Sequence, residues 1–127
     1  MPWNMSSERP IYLQLVDRIK RQIAAGTYSP GDRFPSVREL ALEAAVNPNT
    51  MQRALSALEA DGLLITSRTA GRSVTTDEEM ISMMKEQIAT EEYERFYRSM
   101  KELGYDDKGI QQFIKVVKIS DEKGGTD

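Results

Sequence analysis

Cysteine and histidine are both absent from this chain of 127 residues. Without cysteine no disulfide can form, and the thiolate ligands of structural zinc sites are missing. Without histidine neither a Ser-His-Asp triad nor a Cys-His pair can be built, and the commonest transition-metal ligand is missing too. No other residues form a convincing pair of nucleophile and base. We therefore expect a protein that is not an enzyme and that uses no metal and no cofactor.

Long hydrophobic runs are also missing. No stretch approaches the roughly eighteen apolar residues that a transmembrane helix needs, and the segment Met1–Glu8 is too short and too polar for a signal peptide. A cytoplasmic protein without a membrane partner is the simplest expectation. The apolar fraction of 39% supports one modest core, which fits a small domain with an appendage.

Charge is unevenly distributed along the chain, although the net charge is only −3. Residues 6–76 contain nine Lys and Arg against seven Asp and Glu, whereas residues 77–127 contain eight against thirteen. The front is mildly basic and the back is acidic. Any contact with nucleic acid is therefore expected in the front part.

Three helices are predicted in the front part. Apolar residues recur at helical spacing over residues 11–25. Ser36 and Glu39 form a capping box for a short second helix, and the Asn-Pro pair at residues 47–48 begins a third helix that ends near residue 60. The positions expected to face inward are Tyr12, Leu15, Val16, Ile19, Ile23, Leu40, Ala41, Ala44, Met51, Ala54, Leu55 and Leu58.

A β-hairpin is predicted after the third helix. Residues 63–66 and 73–75 have the composition of short strands, and residues 68–72 form a tight connection between them. Helix, helix, helix and hairpin in this order are the outline of a winged helix-turn-helix, which we place at residues 8–76 of a mainly α fold. Trp3 precedes these elements in what we expect to be a loose arm.

Two further helices are predicted in the acidic back. A capping box at residues 76–79 begins a long helix that ends near Leu103, with Gly104 as its C-cap. Asp106 or Asp107 begins a short last helix. The inward face expected of this last helix consists of Ile110, Phe113, Ile114 and Val117.

The long helix has an apolar stripe that one short helix cannot bury. Residues 77–119 are therefore predicted to be a two-helix dimerisation region, followed by a flexible tail at residues 120–127. A hydrophobic ligand pocket is the alternative for the methionines. The stripe residues expected at a dimer interface are Met80, Met84, Ile88, Tyr93, Phe96, Tyr97 and Met100.

The outward side of the third helix has the residue types that recognise bases. Asn and Gln pair with adenine, Arg pairs with guanine, and Thr contacts phosphate or a thymine methyl group. Arg38, in the preceding helix, can reach the same groove or its phosphates, and Arg33 can reach the backbone. The alternative is a solvated polar face, which the joint pattern of helices and hairpin disfavours. The outward or flanking residues are Asn49, Thr50, Gln52, Arg53 and Ser56.

A family resemblance supports this interpretation. The segment PIYLQLVDRIKRQIAAGTYSPGDRFPSVRELALEAAVNPNTMQRALSALEADGLL resembles the DNA-binding domain of GntR-family bacterial transcription regulators, over about residues 10–76. Its most specific part is the run G-x-x-x-P-G-D-R-x-P-S-x-R-x-L-A. The short helical back, together with VNPNTMQRALSALE, is similar to the YtrA-like subfamily, whose members have a small dimerisation appendage instead of a large effector-binding domain.

The resemblance implies DNA contacts residue by residue. Ser36 is implied to lie near a phosphate, and Gly71 at the wing tip is implied to approach the minor groove. Thr69 departs from the family, which commonly has a glycine there. The flanking Arg68 and Arg72 can enter a narrow minor groove, or they belong to a solvated turn. The other positions that match family contacts are Arg33, Arg38, Asn47, Asn49, Thr50, Gln52 and Arg53.

The resulting hypothesis is a homodimeric, sequence-specific regulator, expected to be a repressor, that binds an inverted repeat in double-stranded DNA. The resemblance implies a transporter operon as a target and leaves open a small-molecule effector of unknown identity. The alternative is a winged-helix protein-interaction adaptor that does not recognise DNA sequence, which the net acidic charge favours.

Overall fold

The computed structural model describes residues 3–117 as helices and one β-hairpin. The mainly α, winged helix-turn-helix fold predicted from the sequence is confirmed. The predicted tail at residues 120–127 lies outside the described residues. The elements are α1 (Ile11–Ala24), α2 (Val37–Ala44), α3 (Pro48–Ala60), β1 (Leu64–Ser67), β2 (Gly71–Val74), α4 (Glu78–Glu102) and α5 (Asp107–Val116).

The core lies between α1, α2 and α3, and the predicted stripes form it. Tyr12 and Val16 are half-buried against this core. Burying one large aliphatic side chain contributes roughly 1.5–3 kcal/mol, so these stripes dominate the stability of the domain. The fully buried members of the predicted set are Leu15, Ile19, Ile23, Leu40, Ala41, Ala44, Met51, Ala54, Leu55 and Leu58.

The turn between α2 and α3 is short and well capped. Ala45 ends α2 in the left-handed conformation (φ 60°, ψ 48°), and the amide of Val46 donates to the carbonyl of Ala41 at 3.0 Å. Asn47 then caps α3, because its side-chain oxygen accepts from the Asn49 amide at 2.7 Å. The predicted caps of both helices are confirmed, including the capping box at Ser36.

The wing is a tighter hairpin than the sequence predicted. β1 pairs with β2 from Leu64–Val74 to Ser67–Gly71, so the expected strand limits and the five-residue connection are wrong. Gly71 adopts φ +74°, a conformation that favours glycine, and the Ser67 hydroxyl accepts from the amide of Ala70 at 3.2 Å. These features reverse the chain early, and Arg72 consequently lies within β2.

The loop before α2 pairs with the β2 edge of this hairpin like a short third strand. The amides of Gly31 and Phe34 donate to the carbonyls of Val74 and Arg72, each at 2.9 Å. The amide of Val74 donates to the carbonyl of Asp32 at 2.9 Å. These bonds hold the wing against the N-terminal end of α2.

The arm before α1 is packed, so the expectation of a loose arm is wrong. Trp3 is only 5% exposed and belongs to the core. Its indole N–H donates to the Glu43 carboxylate at 3.4 Å, and the Arg18 guanidinium lies 4.9 Å from the centre of its ring. The Gln14 side chain accepts from the Ser6 amide and donates to the Ser6 carbonyl, both at 2.7 Å. The Gln14 side chain thereby provides hydrogen-bond partners for backbone groups of Ser6, which lies outside any helix or strand.

The chain divides into two compact units after Ile88, within α4. In the first unit, α4 begins with Asp77 as its N-cap, since the Asp77 carboxylate accepts from the amide of Met80 at 3.1 Å. The predicted cap at Thr76 is wrong. The buried Thr75 hydroxyl accepts from the Asp77 amide at 3.1 Å. This bond fixes the turn so that the N-cap is Asp77, one residue after the predicted Thr76.

The second unit contains the rest of α4 and α5. Gly104 (φ +100°) ends α4, and Asp106 caps α5 by accepting from the Gly109 amide at 2.8 Å. Of the two residues predicted as alternatives for the start of α5, Asp106 and Asp107, the N-cap is Asp106. Ile110 is fully buried, but Ile114 and Val117 are 44% and 41% exposed, so the predicted inward face is wrong at these two positions. A pair of helices cannot cover so wide an apolar stripe. Within residues 3–117 no helix has the length and apolar character needed to cross a bilayer.

Candidate nucleic-acid interface

The outward face of α3 is uncovered by the rest of the chain within the described residues. Asn49, Gln52 and Arg53 are exposed, and Thr50 is half-buried. The side-chain amide of Gln52 donates to the Ser56 hydroxyl at 3.1 Å, one helical turn along. The face predicted from the helical spacing is therefore available to a partner, and one of its side chains is held along the helix.

Arg53 lies at the flank of this face, stacked on α1. Its guanidinium carbon is 3.7 Å from the centre of the Tyr12 ring. Tyr12 belongs to the first turn of α1, which packs against α3. An open groove of about 430 Å³ lies here, and its lining includes Pro10, Tyr12, Asn49, Thr50 and Arg53.

A second groove of about 430 Å³ lies between the wing and the N-terminal end of α2. Arg33, Ser36, Gly71 and Arg72 are among the residues that line it. The Ser36 hydroxyl accepts from the Glu39 amide at 3.1 Å and retains its own proton for donation. Arginine side chains and a hydroxyl donor in one concave site suit an anionic oxygen such as a phosphate. The Glu39 carboxylate, which accepts from the Ser36 amide at the start of α2, also lines this groove.

The two arginines predicted beside the wing tip have different surroundings. Arg68 is exposed in the turn. Arg72 is mostly buried, and its Nε atom donates to the Glu59 carboxylate at the end of α3 at 2.9 Å. A contact between Arg72 and DNA remains a prediction. Arg38 is exposed in the first turn of α2, and neither Arg38 nor Arg68 lines one of the two grooves.

The residues predicted for a dimer interface have three kinds of surroundings. Met80 and Met84 pack against the core of the first unit. In the second unit, Tyr93 is 49% exposed and Met100 is only 6% exposed, so Met100 has little surface left for a partner. The role of all these residues in dimerisation remains a prediction. The remaining members, which are half-buried, are Ile88, Phe96 and Tyr97.

A polar cluster joins the two helices of the second unit. The Tyr97 hydroxyl donates to the Asp107 carboxylate at 2.6 Å, and the Lys101 ammonium lies 2.7 Å from the same oxygen. The hydrogen bond to Asp107 raises the pKa of Tyr97 to about 12. The pKa of Asp107 lies below its usual range, mainly because of the hydrogen bond from Lys101 and, to a smaller extent, because of that from Tyr97.

Tyr12 and Glu59 are two residues that the sequence did not indicate as parts of this surface. Tyr12 matched an inward position of α1, and Glu59 has no local feature that distinguishes it from other helical acids. Their partners, Arg53 and Arg72, lie on other elements. Only the packing of those elements reveals the pairs.

Known proteins resemble both the sequence and the fold. The family model described as bacterial regulatory proteins, gntR family, matches residues 11–74. The transcriptional regulator YhcF of Bacillus subtilis is 38% identical over 109 residues, which cover 86% of this chain and 90% of YhcF. The transcriptional repressor YtrA of the same organism is 35% identical over 118 residues, with coverage of 81% and 91%.

A solved structure agrees with these relatives. A GntR family transcriptional regulator from Listeria monocytogenes superposes with a TM-score of 0.80 at 38% sequence identity. The match covers 90% of this chain and 100% of that one. The similarity therefore includes the fold and extends beyond the helix-turn-helix.

Proposed function

The chain belongs to the gntR family of bacterial regulatory proteins, and from this premise we propose that it is a homodimeric repressor that binds an inverted-repeat operator. Regulators of this family bind DNA and are not enzymes. The adaptor alternative loses its support, because the acidic charge that favoured it lies mainly in residues 77–127. We propose the cytoplasm as the place of action, since bacterial DNA lies there.

The uncovered polar face of α3 is the observation that supports sequence-specific binding. In a helix-turn-helix the second helix enters the major groove with its N-terminal residues at the base edges. Asn49 and Gln52 then contact bases, and each good bidentate pair contributes about 1–3 kcal/mol of discrimination. Arg38 and the groove around Arg33 and Ser36 supply phosphate contacts, which add affinity for any sequence.

Exposed apolar surface in the second unit supports the dimer. Among residues 89–117 only Met100 and Ile110 are buried apolar residues. Two helices with so small a core are marginal on their own, and a second copy would cover the exposed side chains in a two-fold arrangement. The large exposed ones are Tyr93, Leu103, Tyr105, Ile114, Val116 and Val117.

Repression and the target genes have weaker support. The relative YtrA is named a repressor, and the resemblance to YtrA-like regulators implies control of a transporter operon. A small-molecule effector could act by changing the distance between the DNA-binding domains of the two subunits.

Selection of bound sequences from random double-stranded DNA, combined with light scattering of the purified protein, tests this proposal. We expect a palindromic site and a mass of two chains. A recovered site without two-fold symmetry, or a protein of single-chain mass that selects no sequence, would contradict it.

Two variants separate affinity from sequence choice. Arg38→Ala is expected to weaken binding to all sequences, and Gln52→Ala is expected to relax choice at particular positions, with a loss of about 1–3 kcal/mol on the selected site. As controls, Lys108→Ala removes an exposed positive charge and Gln112→Ala removes an exposed amide from α5, and both should leave binding unchanged. Equal behaviour of the variants and these controls in gel-shift titrations would place the recognition surface elsewhere.

A further inference from the structure

The stacked pair of Tyr12 and Arg53 is a feature that the proposed function does not require. A separation of 3.7 Å between the guanidinium carbon and the ring centre places the flat face of the cation against the face of the ring. Arg53 is otherwise exposed. Within residues 3–117 no carboxylate pairs with its guanidinium.

Stacking orients an arginine without using its hydrogen-bond donors. The five N–H groups of a guanidinium lie in its plane, so contact through the face leaves the edge available to a bidentate acceptor. Arg72 is the contrast within the same surface, because its Nε donor is already used by Glu59. Arg53 is therefore held in place and still able to bind.

The position of the pair indicates what Arg53 binds. The guanidinium leans toward α1, at the flank of α3, and not toward the centre of the outward face where Gln52 lies. The DNA backbone passes along the flank of a helix that occupies the major groove, and phosphate oxygens accept the fork of an arginine. Thr50, which lines the same groove as Arg53, adds a hydroxyl group beside it.

We propose that Tyr12 is a positioning residue that holds Arg53 for a contact with a DNA phosphate at the flank of α3. This inference rests on the proposed function, because it assumes that α3 enters the major groove. Tyr12 acts through Arg53 by restricting the side chain to a binding geometry before DNA arrives. The Arg53 side chain then loses its rotamer freedom already in the free protein, and DNA binding does not have to order it again.

A double-mutant cycle on the full-length protein with its selected operator tests the pair. Tyr12→Leu removes the ring but keeps an apolar side chain, and we expect binding to weaken by about two- to fivefold. Arg53→Ala should weaken binding more and reduce the salt dependence by about one phosphate contact. In the Arg53→Ala background, Tyr12→Leu should have no further effect, since the residue that it positions is gone.

Conservative variants and a control keep the test independent of folding. Tyr12→Phe retains the ring and should bind like the parent protein, whereas Arg53→Lys retains the charge without the planar fork and should weaken binding as Tyr12→Leu does. Tyr28→Leu removes another half-buried tyrosine of the same unit and should not couple to Arg53. Thermal unfolding identifies any variant that fails to fold, and if Tyr12→Leu does so, Tyr12→Met, which also removes the ring and keeps an apolar side chain, takes its place in the cycle.

The outcomes separate this inference from the proposed function. Additive losses from Tyr12→Leu and Arg53→Ala would overturn the positioning role, and so would a loss on Tyr12→Phe equal to that on Tyr12→Leu. If Arg53→Ala relaxed sequence choice at one base pair, Arg53 would contact a base, and its assignment to a phosphate would be overturned. A parent protein that selects no DNA sequence would instead overturn the proposed function itself.

Discussion

Single residues of the same type differ in this protein because of what surrounds them. Arg53 and Arg72 both matched candidate DNA contacts in the sequence. Stacking on Tyr12 leaves the donors of Arg53 available, whereas Arg72 uses Nε to pair with Glu59. An exposed arginine such as Arg68 has no such restraint in the described structure. One neighbour thus decides, for Arg53 and for Arg72, which hydrogen-bond donors are available.

Ala45 offers a prediction at this scale. It adopts φ 60° and ψ 48° at the end of α2, a conformation that costs an L-residue roughly 1–2 kcal/mol and costs glycine much less. We therefore expect Ala45→Gly to raise the free energy of unfolding by up to about 1 kcal/mol, since the larger unfolded-state entropy of glycine offsets part of the gain. Urea denaturation followed by circular dichroism measures it.

The control for this variant is Ala89→Gly in the middle of α4. Ala89 is exposed and helical, so the substitution should lower the free energy of unfolding by about 1 kcal/mol. A loss of stability for Ala45→Gly as large as for Ala89→Gly would mean that position 45 is not strained.

At the scale of elements, the wing is fixed to its neighbours at two places. Backbone hydrogen bonds join β2 to the loop before α2, and the Arg72–Glu59 pair joins β2 to the end of α3. The wing is therefore joined to both helices of the helix-turn-helix, to α2 through the loop before it and to α3 through Glu59. We predict that the carboxylate of Glu59 competes with DNA phosphates for Arg72.

Glu59→Gln tests this competition. Loss of the carboxylate should release Arg72 to a phosphate, so affinity for non-specific DNA should rise and the slope of log K against log salt should steepen by about one unit. Glu79→Gln removes the same charge from the exposed first turn of α4 and is the control. Equal steepening in both variants would mean that net charge, and not Arg72, is responsible.

The pair of helices in the second unit offers a prediction about pH. The Tyr97 hydroxyl donates to Asp107 only while it is protonated, so this hydrogen bond stabilises the unit below the unfolded pKa of 10.0 and is lost as pH rises toward the folded pKa of about 12. We expect Asp107→Asn to shift the titration of one tyrosine from about 12 to near 10.0. Phenolate absorbance during an alkaline titration measures the shift.

The matched control uses the hydroxyl itself. In a Tyr97→Phe background, Asp107→Asn should no longer change the tyrosine titration. A shift that persists in this background would assign the late titration to another tyrosine.

At the scale of the whole molecule, the exposed apolar side chains of the second unit are the basis for the proposed dimer interface. Tyr93 is 49% exposed on α4 and lies 5.7 Å, between ring centres, from Tyr97. Tyr93→Glu should therefore place a charge in the proposed dimer interface and give a protein of single-chain mass in light scattering. Affinity for an inverted repeat should fall by about a hundredfold or more, because one head then binds alone.

Met83→Glu is the control for the dimer. Met83 is 64% exposed on the part of α4 that belongs to the first unit, and it lies outside the apolar stripe of this helix. We expect this variant to remain a dimer. Dissociation of both variants, or of neither, would place the interface elsewhere.

Much of the fold is predictable from the sequence because its signals are local. Helical spacing placed α1 and α3, and side-chain caps at Ser36, Asn47 and Asp106 marked where helices begin. The cap of α4 was misplaced by one residue because the hydroxyl of Thr75, which fixes the turn, has no signature of its own. The exposed face of α3 follows from the same spacing that places its buried stripe.

The sequence by itself determined the helix-turn-helix, the polar face of α3 and the unequal charge of the two parts, since spacing, capping and composition are properties of neighbouring residues. Tertiary structure alone decided that Trp3 is buried, that Arg72 pairs with Glu59 and that Arg53 stacks on Tyr12. The partners in these contacts lie on different elements. Their meeting depends on how helices and strands pack, and no periodicity within one element records that packing.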